Sequence, residues 1–252
     1  MGSALLKGLL DAAYAPADQL AVVEPMAARR DELVAQFPAV VVTESPIAAP
    51  EHVVAVKPHD VADVCTALGG IGTGRVLSLA AGVTLASLES WLGEGVPVVR
   101  AMPNTPALVG AGASAVSAGT SAGDDDVAWA VTVLGAVGLV LTVPEASLDA
   151  VTGLSGSGPA YVFLMLEAMI EGGVLNGLPR DVAQRLATQT LLGAGRLAAE
   201  TGEDPGALRA AVTSPGGTTA AGLSALEQAA VRAAFMDAVS AATRRSRELA
   251  GD

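Results

Sequence analysis

Residues 76–106 read VLSLAAGVTLASLESWLGEGVPVVRAMPNTP. A strand-length apolar run, Val76 to Leu79, is followed by a helix-like stretch, Thr84 to Trp91, and then by a second apolar run, Val96 to Arg100. The same alternation extends outward in both directions. Upstream lie the runs Leu20 to Glu24, Val40 to Thr43 and Val53 to Val56. Between them are helical stretches from Met26 to Gln36 and, further on, from Asp60 to Leu68, with Asp60 as N-cap candidate. Downstream, Asp124, Asp125 and Asp126 open a helix that Gly135 and Gly138 break, and Leu139 to Val143 is another apolar run ending at Pro144. Short Val-rich strands alternating with helices predict a mostly parallel sheet covered on both faces, a doubly wound α/β domain over residues 1–147.

The chain opens with a helix, Gly2 to Ala13, whose apolar face holds Leu5, Leu6, Leu9 and Leu10. A dinucleotide-binding sheet begins with a strand and a glycine-rich turn ahead of this helix. Here Met1-Gly2-Ser3 reads as the end of such a turn, with Gly2 in the place of its third glycine. After residue 148 the pattern is helical only. Gly158 to Ile170 is apolar except for Glu167 and is expected to be buried on all sides. A second helix runs from Asp181 to Glu200 and stops at Gly202, and a third is expected from Leu226 to Leu249. Helices so apolar need a further surface to cover them, which points to a dimer.

The 252 residues carry 14 Lys plus Arg against 26 Asp plus Glu, a formal net charge of −12. With Lys7 and Lys57 the only lysines, no basic stripe exists for a nucleic acid or an anionic membrane. A hydrophobic content of 51% with only 3% aromatics means a core of Ala, Val and Leu. Cys65 is the only cysteine and His52 and His59 the only histidines, so neither an internal disulfide nor a zinc cluster is expected. With no signal peptide at the start, the cytoplasm is the expected compartment.

Four stretches carry chemistry: Ala55-Val56-Lys57-Pro58, Arg100 to Pro106 (RAMPNTP), Ser155 to Tyr161 (SGSGPAY) and Thr213 to Thr219 (TSPGGTT). The first two follow apolar runs, as does Ala80-Ala81-Gly82, and ligands of an open parallel sheet sit beyond the carboxyl ends of its strands. Lys57-Pro58 reads equally as a plain strand-ending turn with a solvated lysine. Asn104 is either presented to a ligand or folded into a turn that satisfies its own backbone. The glycine-rich turns Ser155 to Pro159 and Pro215 to Thr219 lie just before helices, where free N–H groups suit a carboxylate or simply cap the helix.

In this order and spacing the four stretches resemble the pyrroline-5-carboxylate reductase family over essentially the whole chain. Residues Pro205, Leu208, Val212, Gly217, Thr219, Gly222, Leu226 and Glu227 match its signature. The resemblance implies a Rossmann-like doubly wound, mostly parallel sheet, here with its first strand absent, followed by an all-helical substrate and dimerisation domain over residues 148–252. It implies hydride transfer from NADPH or NADH to the imine 1-pyrroline-5-carboxylate, giving proline, in a homodimer or higher homo-oligomer. The substrate turn would comprise Ser214, Gly216, Gly217, Thr218 and Thr219, with the Thr219 hydroxyl on the ring nitrogen as the catalytic contact. The cofactor would meet Gly2, Ser3, Glu24, Arg29, Val56, Lys57, Pro58, Ala80, Ala81, Gly82, Met102, Pro103 and Asn104. No metal is implied.

Glu24 stands where an acidic residue holds a ribose 2′-hydroxyl and favours NADH, whereas Arg29 and Arg30 suit a 2′-phosphate or form a solvated helix face. Family members carry a first strand and two more glycines ahead of the position of Gly2. Either the start is an internal methionine of a longer protein, or the chain is a shortened, inactive paralogue that acts as a dimerising subunit. A related imine or keto-acid reductase of the same plan is the remaining alternative.

Overall fold

A computed structural model describes residues 1–251, in two compact units: Met1–Ser157 with the C-terminal stretch from Ala241, and Gly158–Ser240. In the first unit, helix α1 (Gly2–Asp11) precedes β1 (Ala21–Val23), α2 (Ala27–Gln36) and β2 (Val41–Thr43). Then follow β3 (Glu51–Val54), α3 (Val61–Ile71), β4 (Arg75–Ser78), α4 (Leu85–Leu92) and β5 (Val98–Met102). Strand β6 (Gly112–Ala118), helix α5 (Asp124–Gly135) and β7 (Gly138–Thr142) complete the α/β part.

The α/β architecture is as expected, but the strands form two sheets: β1 pairs parallel with β2, and β3-β4-β5-β6-β7 form a separate five-stranded sheet. Every pairing is parallel except β5 with β6. Strand β6 has no counterpart in the sequence reading. Its residues, Gly-Ala-Ser-Ala-Val-Ser-Ala, are too small and polar to register as an apolar run, yet most of them are buried. Strand boundaries also shift by a residue or two, as at β3 and β5. Strand β3 ends at Val54, leaving Ala55 and Val56 in the following loop, and β5 starts only after Pro97, which has no N–H for a ladder. Asp60 precedes α3 without capping it; its carboxylate lies beside His59 instead.

Successive residues of β4 and β5 alternate between two cores. Leu77 and Val99 pack with Leu5 and Leu9 of α1 and with Trp129, Val133 and Leu134 of α5. Val76 and Val98 face Val61, Cys65 and Leu68 of α3 and Leu85, Leu88 and Leu92 of α4. Helix α1 also belongs to a third cluster: Leu6 packs with Leu33, Phe37 and Val40, and Leu10 flanks it. One helix thus serves both sheets.

The amino-terminal edge of the five-stranded sheet is held by a polar knot. Arg75 pairs with Glu51 of the neighbouring strand, lies 4.7 Å over the Trp129 ring and approaches Asp126 at 3.7 Å. Tyr14 donates to Glu51 at 2.9 Å and accepts from the Trp129 indole at 3.1 Å. Burial works against the Glu51 carboxylate, but the hydrogen bonds from Arg75 and Tyr14 outweigh it and hold the group below the ordinary carboxylate range.

In the second unit α7 (Gly158–Leu175) is followed by α8 (Arg180–Thr201), α9 (Pro205–Ala211) and α10 (Thr218–Gln228), and α11 (Val231–Ala250) starts there. Helix α8 ends at Gly202, in the left-handed region at φ 65°. Helix α7 contacts α8 closely, with Gly173 against Ala183, yet no residue of α7 is buried. The expectation of burial on all sides is therefore wrong within one chain: Phe163 is 59%, Leu164 68% and Leu175 85% exposed. The expected helix from Leu226 to Leu249 is two helices, because the backbone reverses at Ala229–Ala230, with Ala230 at φ 54°.

The depressed carboxyl of Glu51 makes stability pH-dependent with a definite sign. Its contribution is present above the unfolded-state pKa and is lost as pH falls through the lower folded-state value. Urea midpoints of wild type and Glu51→Gln should therefore differ most near neutrality and converge toward low pH. A gap independent of pH would show that the knot acts through packing alone.

Candidate cofactor and substrate sites

The parallel register Val54↔Ser78↔Arg100 brings the carboxyl ends of β3, β4 and β5 to one edge. Three loops leave it. After β3, Val56 and Lys57 are exposed and Pro58 opens a tight turn closed by the Asp60 N–H on the Lys57 carbonyl at 2.9 Å. After β4, Ala80 is buried, Ala81 is exposed, and Gly82 turns the chain at φ 75°, where a side chain would be strained. Met102, the last residue of β5, is half-buried, and Pro103 in the loop after it is buried.

The first residues of α1 come to the same edge, since a Cβ on Gly2 would lie 3.4 Å from that of Ala55. No side chain caps this helix. Beside it, Arg29 donates to Ser3 Oγ at 3.1 Å with one arm and pairs with Glu32 through another. The alternatives left open at this position separate. Glu24 accepts the Met26 N–H at 3.0 Å, closing its own turn. Arg30 donates to the carbonyls of Glu24 and Pro25 at 3.0 and 2.7 Å, so it shapes the loop. Arg29, Ser3 and the first-turn N–H groups of α1 remain together as a donor set suited to phosphate oxygens, and so they fit a dinucleotide.

The side chain of Asn104 bonds to the chain's own backbone, but far from its own turn. Its Nδ2 donates to the Ser155 carbonyl at 3.0 Å and its Oδ1 accepts the Ala113 N–H at 2.8 Å, with the residue only 9% exposed. The segment it reaches is also different from expectation. Residues Thr152–Gly156 form a π-helical turn continuing α6 (Leu148–Val151), so Ser155 to Pro159 is not a loop with a free helix start.

The sequence reading assigned no role to Arg100, the first residue of the RAMPNTP stretch, or to Glu145. Arg100 is 7% exposed in mid-sheet and donates to Glu145 at 2.7 Å; the same carboxylate oxygen accepts the Leu85 N–H at the start of α4, also at 2.7 Å. A charged residue inside a Val-rich strand was the available signal, because a buried guanidinium requires a carboxylate partner.

In the helical unit, the Gly217 N–H bonds to the Ser214 carbonyl at 3.1 Å, Gly216 sits at φ 70°, and Gly217 is the N-cap of α10. A Cβ on Gly217 would collide with Ser214 Oγ. Thr218 and Thr219 occupy the exposed first turn. Because a glycine cap has no side chain, the first-turn N–H groups are open to an external anion such as a carboxylate. The turn itself carries no titratable side chain.

The family model for pyrroline-5-carboxylate reductase dimerisation matches residues 145–249. The pyrroline-5-carboxylate reductase of Synechocystis sp. is 47% identical over 99% of this chain and 94% of its own. A solved pyrroline-5-carboxylate reductase from Coxiella burnetii superposes with a TM-score of 0.91 at 38% identity, covering 98% of this chain and 94% of that one. A Plasmodium falciparum pyrroline carboxylate reductase crystallised with NADP bound gives 0.85 at 28% identity, covering 99% and 94%.

Removing the carboxylate in Glu145→Ala leaves Arg100 charged and buried without a partner. The expected loss is about 3–5 kcal/mol of stability, read from denaturant unfolding. A loss comparable with that of an exposed ion pair would show that water reaches Arg100.

Proposed function

This chain belongs to the pyrroline-5-carboxylate reductase family, and on that premise we propose that it reduces the C=N bond of 1-pyrroline-5-carboxylate to L-proline, the last step of proline biosynthesis. The observation that carries the reading is a sheet edge built for a dinucleotide, in a chain 47% identical over 99% of its length to a reductase of that name.

NADPH or NADH, when bound, supplies a hydride to the imine carbon. The first turn of α1 and Ser3 would hold its pyrophosphate and Arg29 the 2′-phosphate of NADPH, with Val56, Lys57, Pro58, Ala80, Ala81, Gly82, Met102 and Pro103 lining its path. An iminium accepts hydride readily, so the protein contributes mainly orientation. In the helical unit, the first-turn N–H groups of α10 with Ser214, Gly216, Gly217 and Thr218 would grip the carboxylate. The Thr219 hydroxyl would hydrogen-bond the ring nitrogen, the atom that carries the proton once the bond is reduced.

The assembly follows from the apolar surface. The run Glu145–Leu175 has the length and hydropathy of a membrane-crossing helix. The family's dimerisation region includes it, so a second copy of the chain is what covers Phe163, Leu164 and Leu175. The cytoplasm is the compartment proposed, where a lone free cysteine such as Cys65 stays reduced; burial pushes its thiol up to about 11.

The purified chain, given 1-pyrroline-5-carboxylate, should oxidise NADPH or NADH and release one proline per cofactor; no turnover with either would refute the proposal. Thr219→Val should lower kcat/KM by roughly 5- to 150-fold, the worth of one buried hydrogen bond of about 1–3 kcal/mol, with the oligomer intact. Unchanged kinetics would remove Thr219 from the mechanism. Arg29→Ala should raise the KM for NADPH about tenfold or more, as for a lost charge-assisted bond, and that for NADH far less. An equal rise would mean that Arg29 does not read the 2′-phosphate.

A further inference from the structure

We propose that Asn104 is a positioning residue of the cofactor site, which holds Met102 and Pro103 in place by binding a helix carbonyl that Pro159 leaves without its backbone donor. The proposal rests on the reading that Met102 and Pro103 border the cofactor.

In an α-helix each carbonyl accepts from the N–H four residues later. For Ser155 that residue is Pro159, which has no N–H. The backbone here is already off the α register: the Ser157 N–H bonds to the Thr152 carbonyl, five residues back, at 2.8 Å. A partly buried carbonyl in such a turn needs a donor from elsewhere. The Asn104 amide supplies it at 3.0 Å, from 51 residues away in sequence.

The same side chain is anchored at its other end. Its Oδ1 takes the N–H of Ala113, on β6, so the planar amide is clamped between β6 and the π turn. Only a group with a donor and an acceptor back to back can do this: aspartate lacks the donor, and glutamine is one methylene too long for the same span. Two residues earlier, Met102 presses on the same turn, where a Cβ on Gly156 would lie 2.5 Å from its Cε. Asn104–Ser155 and Met102–Gly156 therefore form one interlock. With proline on either side of the Asn104–Thr105 pair, the loop is stiff, and a shift at Asn104 is passed on to Met102.

The test measures NADPH binding to the purified protein by cofactor fluorescence, together with steady-state kinetics, melting temperature and oligomer size. Asn104→Asp keeps the acceptor for Ala113 and loses the donor. Measured well below its melting temperature, it should raise the Kd for NADPH about tenfold and lower kcat/KM in step, with the oligomer unchanged. A Kd within about twofold of wild type, with only the melting temperature lowered, would reduce Asn104 to a structural role and overturn the proposal. Should Asn104→Asp fail to fold, Gly156→Ala displaces Met102 without touching the amide, and a raised Kd is again expected; an unchanged one overturns the proposal. Met102→Ala separates the two levels. If it raises the Kd while Asn104→Asp does not, the interlock is refuted and the cofactor reading stands. If it leaves the Kd unchanged, both fall.

Discussion

Helix α1 is the element on which the α/β unit depends. Its two apolar stripes face different cores: Leu5 and Leu9 enter the cluster built on Leu77, Val99, Val133 and Leu134, while Leu6 joins Leu33, Phe37 and Val40. The two-stranded and five-stranded sheets are separate ladders, so side-chain packing through this helix, not backbone hydrogen bonding, relates them. The packing also aims the helix. Gly8 lies so close to Ala136 and Val137 that a side chain there would overlap them, and this approach directs the uncapped first turn toward the end of β3. The place of that turn, proposed above to hold phosphate, follows from how the helix is seated.

The carboxyl edge of the five-stranded sheet is stiffened from within. Parallel strands give three loops at one edge by register alone. Their exact height depends on polar contacts set among apolar ones. Arg100 and Glu145 tie β5 to the start of α4, and Asn104 ties the loop after β5 to the π turn. Each such contact costs desolvation, so each is kept only where it is fully satisfied. The opposite edge has its own knot, where Arg75 at the start of β4 pairs with Glu51 at the start of the edge strand β3.

The helical unit follows a different economy. Helix α7 is apolar nearly all round, yet none of its residues is fully buried within the chain, so its sequence is written for a partner's surface. This is why the composition, rich in Ala, Val and Leu and poor in aromatics, could not be sorted into core and surface by counting. To hold a carboxylate, the turn before α10 would need no charged side chain, because a glycine-capped helix start offers backbone donors directly.

Element type was legible in the sequence almost throughout, since periodicity, Val-rich runs and glycine or proline breaks are local properties that each segment carries by itself. Strand β6 was missed because Ala and Ser have no strong pattern, and the break at Ala229–Ala230 because two alanines do not announce a left-handed turn. The motifs likewise singled out the loops that are proposed above to bear chemistry. Tertiary structure alone decided what their side chains do there. Glu24 read as a ligand contact, Arg30 as a phosphate contact or a solvated helix residue, and Asn104 as a ligand contact or a self-satisfied turn. In the structure each hydrogen-bonds to the chain's own backbone, Asn104 across 51 residues, while Arg29 bonds to Ser3 at the helix start. The physical reason is that a hydrogen bond's partner is chosen by distance in space, which a one-dimensional pattern does not contain, whereas the pattern of burial that makes a helix or a strand is written residue by residue.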